Sequence, residues 1–304
     1  MPLHLPALTR RDFIRRSFAA SAALLTIPAL RAAGSKSDPD HWALFSDTHI
    51  AGDPSAISRA VNMTEHLGAA VEELRALPAP PAGVFVNGDC ALARGLAEDY
   101  ATFTDLLTPV REAGLPIHLT LGNHDDREVF WSEIKNSKPA APPLASKHVS
   151  VVQSARVNWF LLDSLDVTMQ TPGRLGDEQR AWLSKALDAH PEKPALIMLH
   201  HNPIVTAPGK KSGLLDSDEL LALLLPRQHV KAVFFGHTHT WRITKQDDLH
   251  LVNLPAVAYP FKPEEVTGWV NLKLRDGGAA LELRAHDTQH GAHGKVTELA
   301  WRSA

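Results

Sequence analysis

The chain is poor in cysteine and tyrosine, with one Cys and two Tyr in 304 residues. A lone thiol, Cys90, excludes an intramolecular disulfide; this suits the cytosol, or a protein that folds before export. Without a cysteine partner it reads as a small buried residue rather than a ligand. Long apolar runs are also scarce: the uncharged stretch 18–30 falls short of the roughly 20 residues a membrane span needs. Net positive charge is lacking beyond the N-terminus. Residues 1–33 carry five Arg against one Asp, a balance of +4, so the remainder of a chain with net charge −3 holds −7. That acidity argues against a general nucleic-acid groove. There is no internal repeat.

What is present is an ordinary globular composition, 44% apolar and 21% charged, with 17 His. The length fits one large α/β unit. At the N-terminus, Arg10-Arg11 precede Phe13, the stretch 18–30, and the small residues Ala32-Ala33-Gly34. A basic segment, a short apolar segment and small residues form a signal peptide. The Arg-Arg-x-Phe pattern resembles the twin-arginine export signal, which implies export of a folded protein through that machinery, to the periplasm, with cleavage near Ala32 or Ala33. An uncleaved anchor is the alternative. The expected organisation is a signal peptide (1–33), a polar linker (34–40), a catalytic domain (41–287) and a polar, loosely held C-terminal tail (288–304).

After the linker, strands are expected over 41–45, 83–86, 116–121, 147–153, 157–163, 195–199 and 230–235. Helices are expected over 55–77, 97–113, 126–136, 177–190 and 214–225. The region 240–287 reads as β, with hairpin turns at Asp247-Asp248 and Asp276-Gly277-Gly278. Residues 205–215 read as a mobile loop beside the site. Strand and helix alternate early and hairpins dominate later. This predicts an α/β protein with two mixed β-sheets and helices outside, rather than one doubly wound parallel sheet.

Five apolar runs end in chemically loaded stretches: Asp47-Thr48-His49, Gly88-Asp89, Gly122-Asn123-His124-Asp125, His200-His201-Asn202-Pro203 and Gly236-His237-Thr238-His239. Each alone has a plain structural explanation: a strand-end cap at Asp47, a turn at Gly88-Asp89, a satisfied core imidazole at His200 or His201. Together, at the carboxyl ends of strands where α/β sites form, they read as one metal site. Carboxylate oxygen and imidazole nitrogen together suit borderline divalent ions. Period-two alternation along an extended segment would put Asp47 and His49 on one side, and likewise His237 and His239. Asp89 can bridge two ions. A neutral amide ligand, Asn123, limits the negative charge facing a phosphate. Two cations roughly 3.5–4 Å apart clamp a phosphoryl group and activate water.

The order D-x-H, G-D, G-N-H-D, H, G-H-x-H resembles the calcineurin-like metallophosphoesterase superfamily over about 41–240, most closely its class III cyclic-nucleotide and glycerophosphodiester phosphodiesterases. The resemblance implies a sandwich of the two sheets and two divalent ions, Mn, Fe or Zn, whose identity the ligands do not fix. Asp47, His49, Asp89 and His239 would hold one ion, and Asp89, Asn123, His200 and His237 the other. His124 would be the non-ligand histidine that orients phosphate and helps protonate the leaving group, with Asn123 also at the substrate. His201 reads as a neighbour of the ligands. Two departures appear. Leu92 stands where purple acid phosphatases carry a Tyr ligand and where many phosphoprotein phosphatases and class III phosphodiesterases carry Asp, and Ala93-Arg94-Gly95 is one residue longer before its Gly than in those two groups, so this loop does not fix the subfamily. Arg94 is either a phosphate-binding side chain or a solvated one. The expected activity is hydrolysis of a small phosphate ester, diesters before monoesters, by in-line attack of a metal-bound hydroxide. The alternatives are a purple-acid-phosphatase-like monoesterase and a non-catalytic scaffold; the acidic chain disfavours a nuclease.

Overall fold

The computed structural model describes residues 4–5, 37–134, 137–203 and 213–303. The twin-arginine signal lies outside the described residues apart from 4–5, as does the 205–212 part of the expected loop. In chain order the elements are β1 (His4–Leu5), β2 (Asp38–Ser46), β3 (Ile57–Ser58), β4 (Val61–Asn62), α1 (Met63–Arg75), β5 (Pro81–Asn87), α2 (Ala97–Leu106), α3 (Thr108–Glu112), β6 (Ile117–Thr120), α4 (Arg127–Glu133), β7 (Ser150–Gln153) and β8 (Asn158–Leu161). There follow α5 (Asp177–Asp188), β9 (Ala195–Met198), α6 (Ser217–Leu224), β10 (Val230–Phe235), β11 (Arg242–Gln246), β12 (Leu249–Asn253), β13 (Gly268–Arg275), β14 (Gly278–Ala285) and β15 (Val296–Ala300).

The strands form two mixed sheets, ordered β1-β6-β5-β2-β13-β14-β15 and β11-β12-β10-β9-β8-β7, plus the β3–β4 hairpin. In the first sheet β2, β5 and β6 are parallel; in the second, β8, β9, β10 and β12 are. The central strands are apolar on both faces, as parallel strands covered on both sides must be. Along β2, Trp42 and Leu44 point toward the other sheet and pack with Trp159, Met198 and Phe234. Ala43 and Phe45 point outward and pack under α1 and α2, with Leu67, Val71 and Phe103. On the far side Phe160, Ile197 and Phe235 pack under α5 and α6. The result is the expected sandwich with helices on its outer faces.

Several boundaries differ from expectation for local reasons. The 55–77 helix begins at Met63, where the Asn62 side chain caps it by accepting the Glu65 N–H at 3.1 Å; residues 57–62 are the β3–β4 hairpin. The 97–113 helix divides at Leu107, because Pro109 in the first turn of α3 has no N–H to continue the ladder. The linker 34–40 gives way at Asp38 to β2. The expectation of a loosely held tail over 288–304 is corrected. β15 pairs with β14 from Ala300–Gly278 to Val296–Glu282, and the buried Arg302 guanidinium donates to the carbonyls of Val230, Leu224 and Arg227 at 2.8, 3.1 and 2.8 Å. The Asp247-Asp248 turn is a left-handed pair (φ 46° and 61°), the geometry of a two-residue hairpin. No helix among the described residues is long and apolar enough to cross a membrane.

Candidate metal centre

The parallel strands of both sheets run the same way into one shared edge. Asp47 follows β2, Asp89 follows β5, Asn123 and His124 follow β6, His200 follows β9, and His237 and His239 follow β10. Hydrogen bonds tie these tips within each sheet, His49 N to Asp89 O at 2.9 Å and Gly236 N to His200 O at 3.0 Å, and across the sheets, Ala258 N to Asp47 O at 3.1 Å and His237 N to Asp47 Oδ1 at 3.0 Å.

The side chains converge, but not by alternation along an extended strand. Asp47, His49, Asp89, His237 and His239 all have positive φ, between 46° and 69°, a region that costs a non-glycine residue of order 1–3 kcal/mol. The extended-segment argument is therefore corrected: each tip has already left its strand, and a left-handed residue turns the side chain inward. Glycine serves the same end at two places. Gly88 (φ 68°) lies so close to His200 that a Cβ there would meet its Nδ1 at 2.6 Å. A Cβ on Gly236 would overlap Ser46 Oγ and Asp47 Oδ2.

The donor atoms fall into overlapping trios, each within 4.8 Å: Asp47, His49 and His239; Asp89, His200 and His237; and His49, Asp89 and His124. His49 Nε2 faces His239 Nε2 at 3.1 Å. His200 Nε2 is 3.2 Å from Asp89 Oδ2 and 3.8 Å from Asp47 Oδ1. The opposite ring nitrogens are held from behind. Nδ1 of His49 lies 3.3 Å from Leu92 O, that of His200 3.0 Å from Asn87 O, that of His239 2.5 Å from Tyr259 O, and that of His124 3.1 Å from Ala93 O. A carbonyl can only accept, so each Nδ1 carries a proton and each Nε2 is turned into the cluster, the orientation that second-sphere contacts impose on metal-binding histidines.

The donor set fits divalent ions. Asn123 Oδ1 is a buried polar atom without a hydrogen-bond partner among the described residues, an arrangement costly unless something accepts its lone pairs. The electrostatics agree. Burial opposes the charge on Asp47, yet His200 and His239 bring its carboxyl down to about 2. Burial likewise opposes charge on Asp89, but His200 and His49 hold it below the carboxylate range. Burial lowers His200 too, and there Asp89 and Asp47 prevail, carrying it up to about 10. His49 is pulled down to about 3, chiefly by burial. Two ionised carboxylates in this buried cluster thus favour positive charge between them, and a metal ion held there would take the place of the proton on His200.

His201 belongs to none of the trios; its Nδ1 is 2.8 Å from Ser164 Oγ, in keeping with its expected place beside the ligands. Arg94 is exposed, and no hydrogen bond joins it to the cluster among the described residues. Cys90 is fully buried and its thiol is pushed up by burial, the behaviour of a structural cysteine.

Three participants were not assigned roles from sequence. Asp125, last of its own motif, is buried and accepts N–H groups of Cys90, Ala91 and Gly122 at 3.1, 3.1 and 2.9 Å and the Tyr100 hydroxyl at 3.2 Å. It clamps the loop of Asp89 to the loop of Asn123; burial and the Asp89 charge push it up to about 7. Tyr259 stacks on His49 at 5.0 Å and Phe261 on His239 at 3.9 Å. Their only trace in the sequence is an aromatic pair around Pro260 in a segment with no periodicity. The cleft over the cluster holds about 330 Å³ and is lined by Asp89, Asn123, His124, Thr171, His237, Thr238 and Phe261.

Comparison with known proteins agrees with this geometry. Residues 42–241 match the calcineurin-like phosphoesterase family. A probable cyclic nucleotide phosphodiesterase of Synechococcus sp. is 30% identical over 242 residues, 78% of this chain and 88% of that protein. The glycerophosphodiester phosphodiesterase GpdQ of Enterobacter lignolyticus is 25% identical over 220 residues, 71% of this chain and 76% of its own. Among solved structures, a dimetal phosphatase from Danio rerio superposes with a TM-score of 0.68 at 14% identity, over 87% of this chain and 100% of that one. A match over about two thirds of the chain, with every stretch of the cluster inside it, makes this protein a member of the calcineurin-like phosphoesterase family, a metal-dependent hydrolase of phosphoric esters.

Proposed function

We propose that the protein is an exported, dinuclear phosphodiesterase. Asp47, His49, Asp89 and His239 hold one ion, and Asp89, Asn123, His200 and His237 the other, with Asp89 shared. The observation that carries this reading is the set of histidines pinned at Nδ1 by backbone carbonyls, with Nε2 turned to two ionised carboxylates. Two such ions, when bound, clamp a phosphoryl group and lower the pKa of water; Mn, Fe and Zn all suit these ligands.

The chain's own residues do the rest. Asn123 adds an oxygen without adding negative charge, so an anionic ester is not repelled. His124 lines the cleft with its Nδ1–H held by Ala93 O; in the doubly protonated ring the Nε2–H can donate to a phosphoryl oxygen and pass its proton to the departing alkoxide, worth about 10²–10⁴-fold. The backbone N–H of His124 donates to Asp89 Oδ1 at 2.8 Å and fixes that carboxylate. Relatives named as phosphodiesterases support diesters over monoesters. Export through the twin-arginine machinery follows from residues 10–33 alone. The test is turnover of bis-p-nitrophenyl phosphate beside p-nitrophenyl phosphate, with metal content, for wild type and His124→Ala. Chelator-sensitive diester hydrolysis, two metal equivalents, and a kcat lower by about 10²-fold or more in the variant with both equivalents retained are expected. No turnover with two ions bound would refute it.

A further inference from the structure

The β3–β4 hairpin closes through a two-residue turn made of unusual residues. Arg59 and Ala60 adopt φ of 48° and 65°, the left-handed pair that Asn-Gly or Asp-Gly ordinarily supplies. Both are exposed, so core packing does not account for an arginine there. Strain of this kind concentrates near functional sites.

What Arg59 touches gives the reason. Its guanidinium lies 4.9 Å from the centre of the Phe261 ring and 5.7 Å from that of Tyr259. Phe261 stacks on His239 at 3.9 Å and 14° and lines the reaction cleft. The successive distances of 3.9 and 4.9 Å keep Arg59 Cζ within 8.8 Å of the His239 ring centre. No carboxylate among the described residues pairs with Arg59. Positive charge continues beyond it: Lys262, Arg242 and Lys245 line a groove of about 550 Å³ that meets the cleft at Thr238, against a single acid, Glu265. In a chain that is acidic outside its first 33 residues, cations gathered on one side of the cleft reflect placement rather than composition.

We propose that Arg59 is a specificity-determining residue that binds a second phosphate carried by the ester substrate. The inference rests on the phosphodiesterase reading above. An arginine separated from His239 by the thickness of the Phe261 ring meets the substituent, not the scissile phosphoryl group. A guanidinium placed over two aromatic rings can still present N–H groups for a bidentate phosphate contact. Arg is the residue suited to both tasks at once.

The test compares thymidine 5′-(p-nitrophenyl phosphate) with the same compound bearing a 3′-phosphate, so that leaving group and scissile bond are unchanged. In wild type, kcat/KM should favour the 3′-phosphorylated probe by about tenfold at low salt, the effect of one charged contact. Arg59→Gly should bring that ratio close to one. Because glycine accepts the left-handed turn, its melting temperature should rise by about 2 °C. Arg59→Lys should keep part of the preference. A wild-type ratio near one, a ratio unmoved by Arg59→Gly, or a lower melting temperature in that variant would each overturn the proposal. Failure of metal-loaded wild type to turn over either probe would instead remove the phosphodiesterase reading, and this proposal with it.

Discussion

His148 sits just before β7 with its ring buried against Phe130, and its Nδ1 accepts the indole N–H of Trp131 at 2.9 Å. Only a neutral imidazole can accept there. Burial is the main cause that brings its pKa down to about 4; Asp163 works against it. The unfolded chain has an ordinary histidine near 6.5. The folded value is depressed, so the stability His148 contributes is present above pH 6.5 and is lost as pH falls toward 4, because the unfolded state takes up the proton first. Between pH 7 and pH 4.5 the linkage integral for these values amounts to about 2 kcal/mol. His148→Asn keeps a neutral acceptor for Trp131 and cannot titrate. Urea unfolding of both proteins at pH 7, 6, 5 and 4.5, in chelator so that metal binding cancels, should give a wild-type curve falling more steeply than the variant's by that amount. Parallel curves would refute the assignment of a neutral, proton-excluding site.

Other consequences are open to measurement. Gly236→Ala should lose metal by elemental analysis while keeping its far-ultraviolet spectrum, since the added Cβ overlaps Asp47 Oδ2 and displaces a ligand; full metal content would contradict the packing. His200→Ala should halve the bound metal, whereas His201→Ala, which loses the Ser164 contact, should retain two equivalents. Tyr100→Phe deletes a hydroxyl that donates to Asp125 and accepts the Asp126 N–H at 2.9 Å, and should cost about 2 kcal/mol in denaturant melts. Arg302→Ala should cost a similar amount through the carbonyls of Leu224, Arg227 and Val230; an unchanged midpoint would show the C-terminus to be dispensable.

Much of the candidate site could be read from the chain because each of its five stretches follows an apolar run, and apolar runs buried on both faces stop where the sheet meets solvent. The hairpin turns at Asp247-Asp248 and Asp276-Gly277 were equally plain, since their residues tolerate positive φ. The hairpin within the expected 55–77 helix was hidden because Ile57 and Val61 prolong the helical spacing and Arg59-Ala60 carries no turn signal. β15 was hidden because it is an edge strand with one buried residue, Leu299. The inward aim of Asp47, His49, Asp89, His237 and His239 was inferred correctly for an incorrect reason. Left-handed φ at those residues depends on the tertiary frame and leaves no mark in local sequence. Tyr259 and Phe261 reach the site through a long segment after β12, whose path is set by packing and by backbone bonds to distant residues such as Ser46 and Asp47.

The order of strands in the first sheet has a bearing on biosynthesis. β2, the strand that carries Asp47, lies between β5 and β13, so one neighbour is made early and the other some 220 residues later. At 5–20 residues per second a ribosome needs about 15–60 s for the whole chain, and β13, β14 and β15 emerge only in its last moments. The half of the sheet beyond β2, and the Val257–Ser46 and Ala258–Asp47 bonds that brace the metal-facing loop, must therefore wait until synthesis is nearly over. If residues 1–33 address the chain to a translocase that carries folded cargo, as proposed above, the address is legible long before the cargo is ready, and a factor that shields the leader during that interval would determine how much metal-loaded protein leaves the cytoplasm.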